Sequence, residues 1–472
     1  MKNLILKIFF FLFICKHSIA QNVGISTTTP SQRLDVNGKI KIGNDAAAAT
    51  AGTIRYNEVM QDFEGFNGLE WKSLTGSYNN APLVNNAGAA ENLGYAVAIH
   101  GNYAVVGAPV NNWVCGGGAK NGKAYIFKKT GNSWAYVQDI TPTAAALGVG
   151  CNQQYGKAVA IYDNYIAVSA PNAEVNGFSE AGAVFIYKLA GNSFSYLQKV
   201  TASNAATSEH FGSSLSIYGN YLAIGASGSQ YVAYPSAIGR AYIFSKSTNT
   251  FTEQQIVNNP TSNYNDQFGV SVSIDSTTLA IGSAYCTVGA NANQGKVYMY
   301  KIAGATYNFA NEIVHSVANA NDNFGWSVSL NGNDLAIGCP NYDVGGVLIN
   351  CGAVFTVTKD INGNFPGSSL SIITNSEEAS EKQFGFSVSV CQNKLVVGAP
   401  GGTNNTMNNY FGAVHLYAKP AAVWQFTRVL SRGSAATDFF NGYSVSLQGL
   451  NYAFGDPGAM INGKNIIGDV RY

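Results

Sequence analysis

The sequence predicts an all-β chain, a seven-bladed β-propeller of four-stranded antiparallel blades preceded by a signal peptide and a small β-rich module. Three observations predict it. A glycine recurs seven times at intervals of 56 to 62 residues, at Gly94, Gly156, Gly212, Gly269, Gly325, Gly385 and Gly442. A second small residue follows thirteen positions later each time, at Gly107, Ser169, Gly225, Gly282, Gly338, Gly398 and Gly455. Between the two, small and apolar residues alternate with the period of a strand.

The first twenty residues read as an export signal. Lys2 and Lys7 carry positive charge, Ile8 to Ile14 are unbroken apolar, and Ser18-Ile19-Ala20 offers small residues for cleavage after Ala20. The apolar run is too short to cross a bilayer, and no later stretch is long enough. Ile14 is bulky where lipid attachment at Cys15 requires a small residue. Residues 21–68 form the β-rich module or a linker, and residues 69–472 form the propeller. The protein is therefore expected to be secreted or held at the cell surface.

Composition agrees with short strands joined by turns. Glycine is abundant at 52 residues, and aromatic residues make up 12% of the chain. Charged residues reach only 11%, yet 46% hydrophobic residues suffice to bury a core. A net charge of +1 leaves no electrostatic footprint for nucleic acid.

Each copy reads as four strands. The first alternates as in Ser271-Val272-Ser273-Ile274, Ser327-Val328-Ser329-Leu330 and Ser387-Val388-Ser389-Val390, with Ala96, Ala98, Ala158 and Ala160 in the small positions of copies one and two. Small residues suit an innermost strand, where blades crowd toward the axis. A tight turn leads to an apolar second strand ending in Gly107-Ala108-Pro109 or its equivalent. The third begins at glycine, as in Gly239-Arg240-Ala241-Tyr242. The fourth carries an aromatic residue: Trp134, Phe194, Phe251, Phe309, Phe365 and Trp424. Sheets repeated with such a period avoid unpaired terminal edges by closing into a ring. Copy seven runs from Gly442 to Tyr472 and stops inside its third strand. Trp71 precedes Gly94 by nearly the spacing that separates Trp134 from Gly156, so the strand at residues 69–75 is expected to complete blade seven. The competing arrangement keeps Trp71 in the preceding module.

These residues resemble the FG-GAP repeat family, which includes the propeller of integrin α-subunits. Phe211-Gly212, Phe268-Gly269, Phe324-Gly325 and Phe384-Gly385 carry one half of the motif, and Gly107-Ala108-Pro109 with Gly398-Ala399-Pro400 the other. Leu93, Tyr155 and Asn441 depart from it. Integrin-like copies often place a calcium loop between the first two strands. Here those loops are short, with one acid each at Asp163, Asp275 and Asp334, too few for a calcium shell of six to eight oxygens. Neither calcium nor another cofactor is expected. Asn22-Val23-Gly24-Ile25-Ser26, Leu34-Asp35-Val36-Asn37-Gly38 and Gly52-Thr53-Ile54-Arg55-Tyr56-Asn57 resemble segments of tail-fibre and bacterial surface proteins, which implies a capacity to form homotrimers.

No nucleophile elbow, phosphate loop or zinc spacing occurs, so the chain is read as non-catalytic and metal-free. Glu209, Asp266, Asp322, Glu381 and Asp438 precede opening glycines and are expected to bond backbone N–H groups in the turns. Cys339 with Cys351, and Cys115 with Cys151, are disulfide candidates sharing a face, while Cys286 and Cys391 are expected unpaired. The resemblance implies that the rim carrying the loops between second and third strands faces the ligand. That rim holds Trp113, Tyr231, Tyr234, Tyr285, Tyr342 and Tyr410, side chains suited to a protein or carbohydrate partner. The expected function is adhesion or ligand binding. The alternatives are a glycan-active propeller enzyme and a structural trimeric fibre protein.

Overall fold

The computed structural model describes residues 53–57, 62–66, 71–73, 92–109, 122–131, 133–143, 153–228, 238–261, 263–304, 306–316, 319–345, 349–375, 382–401, 412–432, 442–457 and 469–471. The chain divides into two units, with a boundary between Lys72 and Ser73. The signal peptide at residues 1–20 and the fibre-like motifs before Gly52 lie outside the described residues.

Six blades are complete four-stranded sheets, where seven were expected. Blade one comprises Ala96–His100, Tyr103–Ala108, Lys123–Thr130 and Ser133–Ile140, paired antiparallel in chain order. Blades two to six repeat this order, beginning at Val159, Phe211, Phe268, Ser327 and Ser387. The seventh sheet has three strands, Ser444–Gln448, Asn451–Asp456 and Asp469–Arg471. Trp71–Ser73, expected to supply its fourth, is instead hydrogen-bonded in a separate three-stranded sheet with Ile54–Asn57 and Asp62–Phe66. Only four residues separate Trp71 from Phe66 in sequence, so local pairing closes a very short loop and costs little entropy.

The core lies between blades. Seven apolar layers each join two consecutive sheets, and one of them packs Ala453 of the seventh against Val97, Val106 and Tyr125 of the first. The ring is therefore closed. Inner strands bury alternate residues, second strands are almost wholly buried, and outer strands are the most exposed, burying chiefly one aromatic residue near the start and one apolar residue at the end.

Three backbone devices stitch neighbouring blades, and each explains part of the repeat. The second glycine exists because the next blade's opening glycine presses on it. A Cβ on Gly282 would stand 2.0 Å from the Gly325 carbonyl oxygen, and one on Gly455 would stand 1.8 Å from that of Gly94. Ser169 breaks the pattern and turns its hydroxyl inward, accepting from the Ala158 N–H at 2.9 Å. The opening glycines themselves have φ between 88° and 96°, conformations that side chains disfavour.

The serines of the inner strands supply the second device. Ser214, Ser271, Ser327, Ser387 and Ser444 each donate to the next blade's opening-glycine carbonyl at 2.8–2.9 Å. Two residues on, Ser216, Ser273, Ser329, Ser389 and Ser446 accept from the next blade's backbone N–H at 2.9–3.0 Å. The bonds from Ser444 to Gly94 and from Ile99 to Ser446 join the seventh sheet to the first.

Outer strands use an amide. Gln198 both accepts from the Phe251 N–H and donates to its carbonyl, at 2.9 and 2.8 Å. Gln138 does the same to Phe194, and Gln255 to Tyr307. Tyr307, 1% exposed, thus holds the aromatic position of blade four, while Phe309 is 56% exposed and lies on the outer face. The two differ by one strand period, so alternation alone could not separate them.

Candidate functional site

The residue after each opening glycine enters the ring at the end of the channel opposite the hairpins that join first and second strands. Those seven positions hold Tyr95, Lys157, Ser213, Val270, Trp326, Phe386 and Tyr443, all half-buried. Tyr95, Lys157, Ser213, Val270, Phe386 and Tyr443 line a cavity of about 280 Å³. The positive φ of the preceding glycine fixes the exit angle of each side chain.

The column is markedly uneven, and its Trp326 stands beside the cavity lining, packed on Phe386. Trp326, Phe386, Tyr443 and Tyr95 stand on consecutive blades five, six, seven and one, with ring centroids 5.4, 4.8 and 4.8 Å apart. Tyr285 extends this arc from the loop of blade four, its centroid 6.3 Å from Trp326. Lys157 follows Tyr95 around the ring. Its ammonium lies 4.3 Å from the Tyr95 ring centroid and donates to the Tyr95 hydroxyl. Ser213 and Val270 make the far wall small. Burial, with the neighbouring Tyr95, pushes the Tyr443 hydroxyl well above the ordinary phenol range, so it stays protonated. The arc can stack a flat ring, and the lysine adds one cation to one side of it.

Five segments, residues 83–127, 194–244, 251–300, 307–357 and 368–417, match the FG-GAP repeat and together cover more than half of the chain. The chain belongs to the FG-GAP repeat family. No curated protein matches the sequence. The expectation of a non-catalytic chain is corrected by the solved structures that the FG-GAP propeller resembles, because two of these bear the names of enzymes. One is described as a candidate 6-phosphogluconolactonase from Bacteroides uniformis ATCC 8492, with a TM-score of 0.45, 9% identity, and coverage of 78% of this chain and 90% of that one. The other is the periplasmic gluconolactonase PpgL of Pseudomonas aeruginosa, with a TM-score of 0.46, 12% identity, and coverage of 81% and 94%. At such scores these names bring no activity to this chain.

Of the rim residues expected to meet a ligand, Tyr285 joins the axial arc. Tyr342 does not. Its backbone accepts from Gly352 N–H as Ala173 accepts from Gly182 and Cys286 from Gly295, so three loops share one turn. That position faces inward, and Tyr342, 9% exposed, packs on His315 and Phe355. Trp113, Tyr231, Tyr234 and Tyr410 lie outside the described residues, as do Cys115 and Cys151.

No disulfide joins Cys339 to Cys351; both are buried thiols. Cys339 pairs with Ala353 across the strands, and its sulfur donates to the Asp322 carbonyl at 3.2 Å, turned away from a bridge. Cys286 and Cys391 are likewise buried thiols. Two of the acids before the opening glycines form turns as expected, Glu209 accepting from the Ala206 N–H at 3.1 Å and Asp322 from the Asn319 N–H at 2.7 Å, whereas Asp266 instead accepts from the side chains of Asn259 and Thr261. Glu381 and Asp438 lie outside the described residues. In the hairpins where a calcium loop would sit, Lys359 of blade five pairs with Asp275 of blade four, and Lys419 of blade six with Asp334 of blade five. These carboxylates are committed to protein cations.

The column of residues after the opening glycines was missed in the sequence reading. Its signal was present: four aromatic residues fall on consecutive copies with a lysine next to them, at a position whose residue type otherwise varies from copy to copy.

Proposed function

We propose that this FG-GAP propeller is an exported ligand-binding protein that receives its ligand at the axial mouth and the adjoining rim. The single observation that carries the reading is the unevenness of the mouth. A purely structural axis would repeat one residue seven times, as the Ser-x-Ser strands nearly do. Instead four aromatic rings are gathered on consecutive blades beside one lysine, facing a small wall. Half-buried aromatic side chains are what carbohydrate and protein surfaces use as anchors. Export rests on Lys2, Lys7 and the apolar run to Ile14, and homotrimer formation on residues 21–68; native mass measurement of the mature chain tests the latter.

The test is a screen of wild-type protein and Trp326→Ala against glycan and matrix-protein arrays. Ligands captured by wild type are expected to be lost by Trp326→Ala with the melting temperature unchanged. Ligands retained by Trp326→Ala and by Tyr95→Ala would move the site away from the axis. Mass analysis of each captured glycan after incubation reads turnover in the same samples.

A further inference from the structure

Resting on the reading of the axial mouth as the binding site, we infer that the mouth selects an acidic sugar, with the ring stacked on the aromatic arc and its carboxylate on Lys157. Two observations converge. None of the side chains lining the cavity is acidic, and Lys157 is its one cation among the described residues. Among those residues, the Lys157 ammonium meets only the Tyr95 ring and hydroxyl, so its charge is not neutralised by any carboxylate. Lys359, Lys419, Lys296 and Lys123 pair with Asp275, Asp334, Glu312 and Asp139, whereas Lys246, like Lys157, lies over a tyrosine ring, and of these lysines Lys157 is the one that lines the cavity.

The rest of the lining fixes what carries that charge. A cavity of about 280 Å³ lies at the small end of ligand pockets, which suits one or two sugar rings. The Tyr95 and Tyr443 rings pack on one another, centroids 4.8 Å apart and planes at 53°, and Tyr95 is the ring that Lys157 covers. The stacking surface and the cation are therefore adjacent, as the ring and carboxylate are in a uronic acid. The Tyr443 hydroxyl, hydrogen-bonded to Tyr95 and held protonated, does not repel an anion. A free cation is disfavoured, because the lysine already occupies the aromatic face it would seek.

Titration calorimetry and Trp326 fluorescence with methyl glucuronide, methyl glucoside and acetate test this on the full mature protein. Wild type is expected to bind the glucuronide about tenfold or more tighter than the glucoside, the least a charge-assisted hydrogen bond contributes. The preference should shrink as salt is raised. Lys157→Met should bring the two glycosides within about twofold, while Trp326→Ala should weaken both. Equal binding of glucoside and glucuronide by wild type would overturn the acidic preference and leave the mouth as the binding site. Acetate binding as tightly as glucuronide would overturn the sugar. No response to any probe, with array ligands unaffected by Trp326→Ala, would overturn both this inference and the reading beneath it.

Discussion

Replacing Gly282 by alanine isolates the contact that spaces the blades. Gly282 has no positive φ, so the added methyl group meets no backbone penalty of its own. It meets the Gly325 carbonyl oxygen at 2.0 Å and the Ser271 hydroxyl at 2.2 Å. The carbonyl must retreat by more than an ångström, which parts the inner strands and breaks the Ser271 bond to Gly325. Overpacking costs about 1–3 kcal/mol and the lost hydrogen bond about 1 kcal/mol, together about 2–4 kcal/mol. Gly101→Ala is the control: φ is +59° and nothing lies within 4 Å of the new methyl, so only the left-handed backbone cost of about 1 kcal/mol applies. For roughly 380 residues at about 2.1 cal/mol/K each, 1 kcal/mol shifts the melting temperature by about 1 °C. Scanning calorimetry should therefore show a fall of about 2–5 °C for Gly282→Ala and about 1 °C for Gly101→Ala. Equal shifts would refute the close-approach argument, because both substitutions add the same atom.

Gln198→Ala removes both bonds to the Phe251 backbone and should cost about 1–3 kcal/mol in a urea titration, whereas Gln254→Ala, whose amide bonds only Thr252 on the surface, should cost under about 0.5 kcal/mol. Burial raises the Asp322 carboxyl to about 6, so its contribution to stability is present at low pH and is lost, by about 3 kcal/mol, as pH rises through 6. Burial lowers His315 to about 4, which acts oppositely: stability rises with pH between about 4 and 6.5. Asp322→Asn retains an acceptor for the Asn319 N–H and removes the buried carboxylate that lies 3.6 Å from His315 Nε2. Its urea midpoint relative to wild type should therefore be higher at pH 7.5 than at pH 5, and an equal difference at both would contradict the burial argument. Cys286, Cys339, Cys351 and Cys391 should resist iodoacetamide in the native protein and react after denaturation, as read by intact mass; prompt labelling of Cys339 would contradict its place in the blade-five core.

The ring was legible because its constraint is geometric and recurs. A glycine pressed by a neighbouring carbonyl admits no side chain, so it marks each copy, and the Ser-x-Ser alternation marks the strand on the axis. The reason for serine was not legible: size explains Ala96 and Ala158 equally well, and only the contacts to Gly269, Gly325 and their equivalents show that the hydroxyl matters. The Gln198–Phe251 lock escaped because its partner is backbone in the next copy, where any residue type could stand. Pairing of Trp71–Ser73 in its own small sheet escaped because spacing reports equivalence, not the shorter loop. Tyr342 looked like a rim residue in sequence, and the turn it shares with Ala173 and Cys286 directs it inward. The axial arc was readable only after the opening glycines had been aligned as one column.

A crystal structure of the mature protein tests the closed ring most directly. It should show seven sheets about one axis, with Ser444 Oγ near 2.8 Å from the Gly94 carbonyl oxygen and Ile99 N–H on Ser446. Six sheets, or a gap between the strands at Ser444–Gln448 and Ala96–His100, would contradict the architecture and remove the axial mouth with it.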